Sequence, residues 1–157
     1  MIKTNAMRML NAAKLPFEIM EYEVDESDLS GTHIAEQIGL PCEMVFKTLV
    51  AKGDKTGPLV FCIPAAEELD LKAAASLTGN KRIEMVHVKD LLGLTGYIRG
   101  GCSPVGMKKK FPTFVDESAL EHPKITISSG ARGAQLLIST EALLQFTQAK
   151  TLPLTVK

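Results

Sequence analysis

The segment "MVFKTLVAKGDKTGPLVFCIPA", residues 44–65, constrains the fold more than any other part of the chain. Two runs rich in β-branched and aromatic residues flank Gly53-Asp54-Lys55-Thr56-Gly57, and this pattern predicts a β-hairpin. In the first run both alternating sets of residues are apolar, apart from one lysine. Because successive side chains of a strand point to opposite faces, this strand is expected in the interior of a sheet.

Apolar spacing and capping residues predict further elements on both sides of the hairpin. Thr32 is expected to cap the second helix and Gly39 to end it. Helices are predicted at 3–14, 32–40, 68–79, around 90–93 and at 140–150, and strands at 16–24, 82–88, 113–120, 124–130 and 134–139. Strands mixed with short helices indicate an α+β fold: one domain over residues 1–157, with a mixed β-sheet core and flanking short helices.

Charge, cysteine spacing and hydropathy exclude several classes of protein. Lysine plus arginine equals aspartate plus glutamate, 18 against 18, so contact with nucleic acid would need a local patch. Cys42, Cys62 and Cys102 form no C-x-x-C pair, which argues against a zinc site and a disulfide framework. No signal peptide and no run of 18 apolar residues is visible, so a cytoplasmic protein without a membrane anchor is expected.

Lys47 is the unusual residue of the predicted interior strand. It shares a face with Val45, Leu49 and Ala51, where burying an ammonium group is costly unless it meets an anion or a polar cavity. Two interpretations remain open from the pattern. The strand could lie at an edge, with the tip of Lys47 reaching water, or Lys47 could lie at the floor of a pocket and face an ester or a phosphate.

The stretch "IRGGCSPVGMKKKF", residues 98–111, is a second candidate for function. Gly100 and Gly101 permit close approach of the backbone, so its N–H groups could face an oxygen or a phosphate, although an ordinary turn has the same composition. The lysines that follow, Lys108, Lys109 and Lys110, suit either a solvated face or a phosphate backbone. Cys102 has no recognisable histidine partner, so it is not expected to be a nucleophile.

Five segments, in this order and at this spacing, resemble a known family: "VFKTLVA", "ELDLKAAA", "KRIEMV", "TGYIRGGCSPVGMKKKFPTFVDES" and "ISSGARG". Together they resemble the YbaK/EbsC-type family, the free-standing Cys-tRNA(Pro) deacylases. That family is similar to the editing domain inserted in bacterial prolyl-tRNA synthetases. The resemblance extends from about Tyr22 to the last predicted strand.

The resemblance implies a compact α+β domain that hydrolyses the ester between an incorrect amino acid and the terminal adenosine of tRNA. It implies Lys47 as the catalytic residue. It matches Tyr22, Gly101, Pro104 and Ser128 to the substrate pocket. Gly100, Cys102 and Ser103 of the same loop are predicted to bind substrate with them, and Lys108, Lys109 and Lys110, which directly follow the loop, are predicted from their charge to bind tRNA phosphates. The family often has an aspartate two residues after the Arg-Gly of its last turn, where this chain has Gln135, so an acid that grips the substrate ammonium is missing.

The resemblance also bears on mechanism and partners. No metal or other cofactor is expected, and the partners would be aminoacyl-tRNA(Pro) and, as a candidate, prolyl-tRNA synthetase. The substrate's own cysteine thiol could attack its ester, while the protein supplies position and electrostatics. One alternative is an Ala-tRNA(Pro) deacylase that uses a positioned water; another is a non-catalytic module that binds tRNA ends or a synthetase.

Overall fold

The computed structural model describes residues 3–157. Five helices occupy α1 (Asn5–Ala12), α2 (Gly31–Ile38), α3 (Leu71–Leu77), α4 (Val88–Thr95) and α5 (Thr140–Thr147). Eight strands occupy β1 (Phe17–Glu21), β2 (Phe46–Gly53), β3 (Gly57–Pro64), β4 (Ile83–Met85), β5 (Thr113–Asp116), β6 (Lys124–Ser128), β7 (Ala134–Ser139) and β8 (Lys150–Leu152). Short 3-10 helices lie at Cys42–Met44 and Glu117–Glu121.

The predicted hairpin is confirmed and lies inside a five-stranded sheet. β2 and β3 pair antiparallel from Phe46 opposite Pro64 to Gly53 opposite Gly57. The strand order is β4-β2-β3-β5-β8, and β5 and β8 run parallel to their neighbours, so this sheet is mixed. The position of β2 between β4 and β3 confirms that it is an interior strand.

A second sheet of three antiparallel strands, in the order β1-β7-β6, lies beside the first. One isolated parallel bridge, between Val45 and Thr126, connects the two sheets. The α+β fold with a mixed sheet and five short helices is thus confirmed, but the strands divide into two sheets.

The hairpin strand β3 packs apolar side chains on both faces. Its residues alternate between two hydrophobic clusters, as a strand of period two requires. One cluster contains Val60 and Cys62 with residues of α1, α5, β6 and β7; the other contains Leu59, Phe61 and Ile63 with Ala74 and Ala75 of α3.

Several predicted boundaries differ from the structure. Ser30, and not Thr32, caps α2, because its Oγ accepts a hydrogen bond from the N–H of His33. The strand predicted at 82–88 covers only Ile83–Met85, since α4 begins at Val88. The strand predicted at 113–120 ends at Asp116, where a 3-10 helix begins. The prediction contained no counterpart of β8.

Candidate active site

A cavity of about 580 Å³ opens between the two sheets. The N-terminal end of α2, the first half of β2, the segment from β4 to α4, the loop after α4 and the second sheet all contribute to its walls. The lining residues are Leu29, Ser30, Gly31, Ile34, Val45, Phe46, Lys47, Thr48, Leu49, Val50, Ala65, Met85, Val86, Val88, Leu91, Arg99, Gly100, Cys102, Ser128 and Gln135.

A gap in the pairing of β2 creates this opening. One edge of β2 pairs with β3 along its whole length. On the other edge, Val45 bridges to Thr126, the Val50 carbonyl accepts from the N–H of Val86, and pairing with β4 covers only residues 51–53. Within the described chain, residues 46–49 have no strand partner on that edge, so the backbone there faces the cavity.

Lys47 lies in this gap and is half-buried. It is therefore a lysine of an interior strand at a cavity, and not a lysine of an edge strand. Within residues 3–157 the one ion pair joins His33 and Asp28, so the ammonium of Lys47 has no carboxylate partner there. A cation held in this position can attract an anion, or an oxygen on which negative charge develops.

The wall contributed by the second sheet is polar and uncharged. Ser128 and Gln135, which are directly opposite each other across β6 and β7, are only 6% and 4% exposed. The Oε1 atom of Gln135 accepts a hydrogen bond from the hydroxyl of Thr126 at 3.2 Å. The Oγ atom of Ser128 accepts one from the N–H of Gly130 at 3.2 Å.

The loop at residues 98–107 places its predicted site residues in different surroundings. Gly100 and Cys102 line the cavity with Lys47. Gly101 and Ser103 are buried but lie outside the lining of this cavity, and the Oγ of Ser103 accepts a hydrogen bond from the N–H of Val105. Pro104 borders a separate cavity.

Cys102 is buried among apolar side chains and is 7% exposed. Burial raises the pKa of its thiol to about 12, although a hydrogen bond with Thr95 acts in the opposite direction. At neutral pH the sulfur therefore carries its proton. Because the thiolate is the reactive form, this thiol is poorly suited to nucleophilic attack.

The lysine run directly follows the loop at residues 98–107. Lys109 and Lys110 border a cavity of about 240 Å³ together with Pro104, and the Nζ of Lys110 donates to Oε1 of Gln148 at 2.6 Å. Lys108 is exposed. None of the three lines the cavity that contains Lys47.

Tyr22, the remaining predicted site residue, is half-buried just after β1, where its N–H donates to the carbonyl of Gly133. It does not line the Lys47 cavity.

The sequence prediction missed Arg99 as a residue of this site. Arg99 is exposed and is the second cation that lines the cavity. Its position immediately before the Gly100-Gly101 pair was the available signal, because the glycines bring the backbone there close to the pocket. The run of three lysines is a stronger charge signal in the sequence, but it lies after the loop at residues 98–107.

The cavity offers few groups for acid–base chemistry. Its lining, which lies wholly within the described chain, contains neither a carboxylate nor a histidine. Between residues 3 and 157, no three side chains of His, Cys, Asp or Glu are grouped so that they could hold a metal ion. Over the same residues, no helix is both long enough and apolar enough to cross a membrane.

Comparison with known proteins defines the class. The family described as "Aminoacyl-tRNA editing domain" matches residues 30–146, and this chain belongs to that family. The resemblance seen in the sequence is thereby confirmed.

Among curated proteins, the chain is 48% identical over 155 residues to "Putative Cys-tRNA(Pro)/Cys-tRNA(Cys) deacylase EbsC" of Enterococcus faecalis. The match covers 99% of this chain and 94% of that protein.

Solved structures agree on the fold. The "Crystal structure of a putative trans-editing enzyme for prolyl tRNA synthetase" superposes with a TM-score of 0.83 at 25% identity, and the match covers 100% of both chains. Hypothetical protein APE2540 superposes with a TM-score of 0.88 at 22% identity, over 98% of this chain and 100% of that one. The second similarity concerns the fold alone.

Proposed function

We propose that this chain is a trans-editing aminoacyl-tRNA deacylase whose substrate is Cys-tRNA(Pro). Family membership and the relative from Enterococcus faecalis support the reaction class and the substrate. One structural observation carries the proposal: a cavity-facing lysine without a carboxylate partner lies in a pocket whose lining has no carboxylate, no histidine and no reactive thiol. Such a pocket suits a substrate that brings its own nucleophile.

In the proposed reaction, the thiol of the esterified cysteine loses its proton and the sulfur attacks the carbonyl carbon of the same residue. A carbon–sulfur bond forms, and the bond between that carbon and the ribose oxygen breaks. The ribose oxygen takes up a proton, and water then opens the cyclic thioester to free cysteine. Holding the reacting atoms in attack geometry can lower such a barrier by about 7–11 kcal/mol.

We assign to Lys47 the role of stabilising the carbonyl oxygen of the ester. Negative charge develops on the carbonyl oxygen during the attack, and the ammonium of Lys47, in the lining of the cavity, stabilises that charge. The same ammonium interacts weakly with the neutral ester before reaction, so it stabilises the transition state more than the bound substrate.

We propose that the uncharged wall contributed by the second sheet binds the ammonium group of the substrate's amino acid. Ser128 and Gln135 both line the cavity, and a hydroxyl or an amide oxygen can accept a hydrogen bond from an ammonium group. Gln135 supplies this contact without charge, at the position where the family often has an aspartate.

A deacylation panel with Cys-, Ala-, Ser- and Pro-tRNA(Pro) tests the proposal. Cys-tRNA(Pro) should be hydrolysed fastest, and its rate should rise with pH as the substrate thiol ionises, because the thiolate is the attacking species. Equal hydrolysis of Ala-tRNA(Pro) would indicate a positioned water. Tight binding of charged tRNA without turnover would indicate a non-catalytic module.

The choice of tRNA is a separate part of the proposal. The cavity can hold an aminoacylated terminal nucleoside, but that end is the same in every tRNA. We infer that selection of tRNA(Pro) depends on contacts outside the cavity, including lysines 108–110, or on prolyl-tRNA synthetase in the cytoplasm. Hydrolysis of Cys-tRNA(Cys) and Cys-tRNA(Pro) should be compared with and without the synthetase. A preference that appears only with the synthetase identifies it as the partner.

A further inference from the structure

We propose that Arg99, positioned by Arg132, binds the phosphate group on the 5′ side of the tRNA's terminal adenosine. This inference rests on the proposed function and extends it to a phosphate subsite at the rim of the same cavity.

The first argument is the charge of the cavity lining. Lys47 and Arg99 are its two cations, and no lining residue is an aspartate or a glutamate. Neither cation forms an ion pair in the part of the chain that the structure describes. In a chain with equal numbers of acidic and basic residues, two cations without counterions around one cavity indicate an anionic ligand.

The second argument is the way the backbone at Arg99 is held. The Nε of Arg132 donates a hydrogen bond to the carbonyl oxygen of Arg99 at 2.8 Å. This contact ties the loop after α4 to the turn between β6 and β7. It also brings a second guanidinium group beside the same rim, and within residues 3–157 that group has no carboxylate partner either.

Gly100 makes this arrangement possible. Its backbone has a φ of +85°, and a Cβ atom added there would lie 3.2 Å from the Nε of Arg132. A side chain at residue 100 would therefore be strained and would press on the arginine that holds Arg99. The glycine thus serves the contact between the two arginines as well as the cavity that it lines.

The third argument is the chemistry of the substrate. The terminal ribose carries the aminoacyl ester on one side and the 5′-phosphate on the other. If the ester lies against the half-buried Lys47, the phosphate must lie toward solvent, where the exposed Arg99 is available. A guanidinium group can donate two parallel hydrogen bonds to phosphate oxygens, which fixes orientation as well as affinity.

Binding of two amide probes tests the subsite. Each probe is 3′-cysteinylamino-3′-deoxyadenosine, in which an amide replaces the ester, with or without a 5′-phosphate. The parent protein should bind the phosphorylated probe about tenfold more tightly, which is a typical effect for a partly exposed charged contact. Arg99→Gln should bind the two probes equally, and Arg99→Lys should keep part of the difference. The matched control Arg82→Gln, at an exposed arginine that lines none of the cavities described, should behave like the parent.

The role of Arg132 in positioning Arg99 must be distinguished from general support of the loop, and the preference for the phosphorylated probe makes this distinction. Arg132→Lys keeps the charge but loses the planar Nε donor, so the preference for the phosphorylated probe should fall. Affinity for the unphosphorylated probe should stay the same. A loss of affinity for both probes would show that Arg132 only supports the loop, and this would overturn its role as a positioning residue.

The outcome for the subsite can be separated from the outcome for the proposed function. The amide probes are not hydrolysed, so the binding measurement is valid even if no ester is cleaved. Equal affinity of the parent for the two probes would overturn the phosphate subsite and leave the deacylase proposal standing. A preference for phosphate that persists in Arg99→Gln would also overturn it.

Discussion

Lys47 gains access to the cavity because β2 changes partner along one edge. The bridge from Val45 to Thr126 ends before Lys47, and pairing with β4 starts only at Ala51. A regular partner strand there would have covered the backbone of the cavity wall. The lysine therefore lies on a rigid strand, next to a gap in the backbone hydrogen bonds along one edge of that strand. That combination suits a group that must hold its position in a reaction.

Replacing Lys47 with alanine should abolish deacylation and leave the fold intact. We expect a loss of at least about a hundredfold in kcat, because the charge on the carbonyl oxygen would lose its nearest cation. Single-turnover deacylation and the circular dichroism spectrum measure the two effects. Lys52→Ala, on the same strand but outside the lining of the Lys47 cavity, is the matched control and should keep full activity. Retained activity in Lys47→Ala would remove the lysine from the mechanism.

Replacing Cys102 with alanine should keep most of the activity. Its thiol is protonated at neutral pH, since burial raises its pKa to about 12, and the proposed mechanism uses the substrate's thiol instead. A modest loss of stability, about 1 kcal/mol, is expected for a small buried side chain. Deacylation of Cys-tRNA(Pro) is the measurement. A hundredfold drop in kcat, about 2.7 kcal/mol of barrier, would identify Cys102 as a participant.

Among the structural elements, the loop at residues 98–107 depends on one buried tyrosine. The hydroxyl of Tyr97 donates to the carbonyl of Val105 at 2.6 Å, and the ring packs with Val50 of β2 and with Cys102. The loop also curves closely around this side chain, since a Cβ added to Gly106 would lie 2.6 Å from the tyrosine oxygen. Tyr97 thus fixes the loop against the strand that carries Lys47.

Replacing Tyr97 with phenylalanine should lower the free energy of unfolding by about 1–3 kcal/mol, because the Val105 carbonyl loses its donor in a buried site. Urea denaturation measures this change. Tyr22→Phe is the control at the chain's other tyrosine, whose hydroxyl makes no hydrogen bond within residues 3–157, and it should leave stability unchanged. Equal stability of Tyr97→Phe and the parent would contradict the importance of this contact.

The lysine run is expected to contribute affinity and not chemistry. Changing Lys108, Lys109 and Lys110 to glutamine should raise the KM for charged tRNA and leave kcat nearly unchanged. Each lost phosphate contact should also reduce the slope of log affinity against log salt by nearly one unit. The control triple is Lys52, Lys55 and Lys81, which lie near the turn of the β2–β3 hairpin. If tRNA binding is unaffected at both low and physiological salt, the run is only a solvated surface.

Local pattern explains which elements the sequence could predict. The hairpin follows from two long apolar runs and a turn sequence, and Lys47 is conspicuous because its neighbours along the strand are apolar. The strand β8 is only three residues long and pairs parallel with β5, so it is too short to show an alternation of apolar and polar residues that could identify it. The bridge from Val45 to Thr126 depends on residues far apart in the sequence, and the opening beside Lys47 could not be foreseen for the same reason.

The molecule as a whole should lose stability in alkali. Burial raises the pKa of Cys62 and Cys102 from 9.0 to about 12, and that of Tyr97 from 10.0 to about 12. In the unfolded chain these groups lose their protons at lower pH than in the fold. Their contribution is therefore complete below pH 9 and falls as the pH rises toward 12, by up to about 1.4 kcal/mol per pH unit for each group.

Urea denaturation at a series of pH values from 9 to 12 measures this effect. The double variant Cys62→Ala, Cys102→Ala should show a flatter dependence on pH, whatever its absolute stability. An unfolding free energy that stays constant across this range would contradict the assignment.

Within the described chain, one isolated backbone bridge joins the two sheets, and the residues that we assign to the reaction are divided between these sheets. The lysine that we assign to the reaction belongs to the five-stranded sheet, whereas Ser128 and Gln135 belong to the three-stranded sheet. Ser128 and Gln135 lie outside the hydrophobic cluster that the hairpin shares with β6 and β7, so substitutions at these two positions can reshape one wall while the hairpin that carries Lys47 keeps its pairing and packing. A lineage with this architecture can therefore change the amino acid that it accepts without rebuilding the part that cleaves the ester.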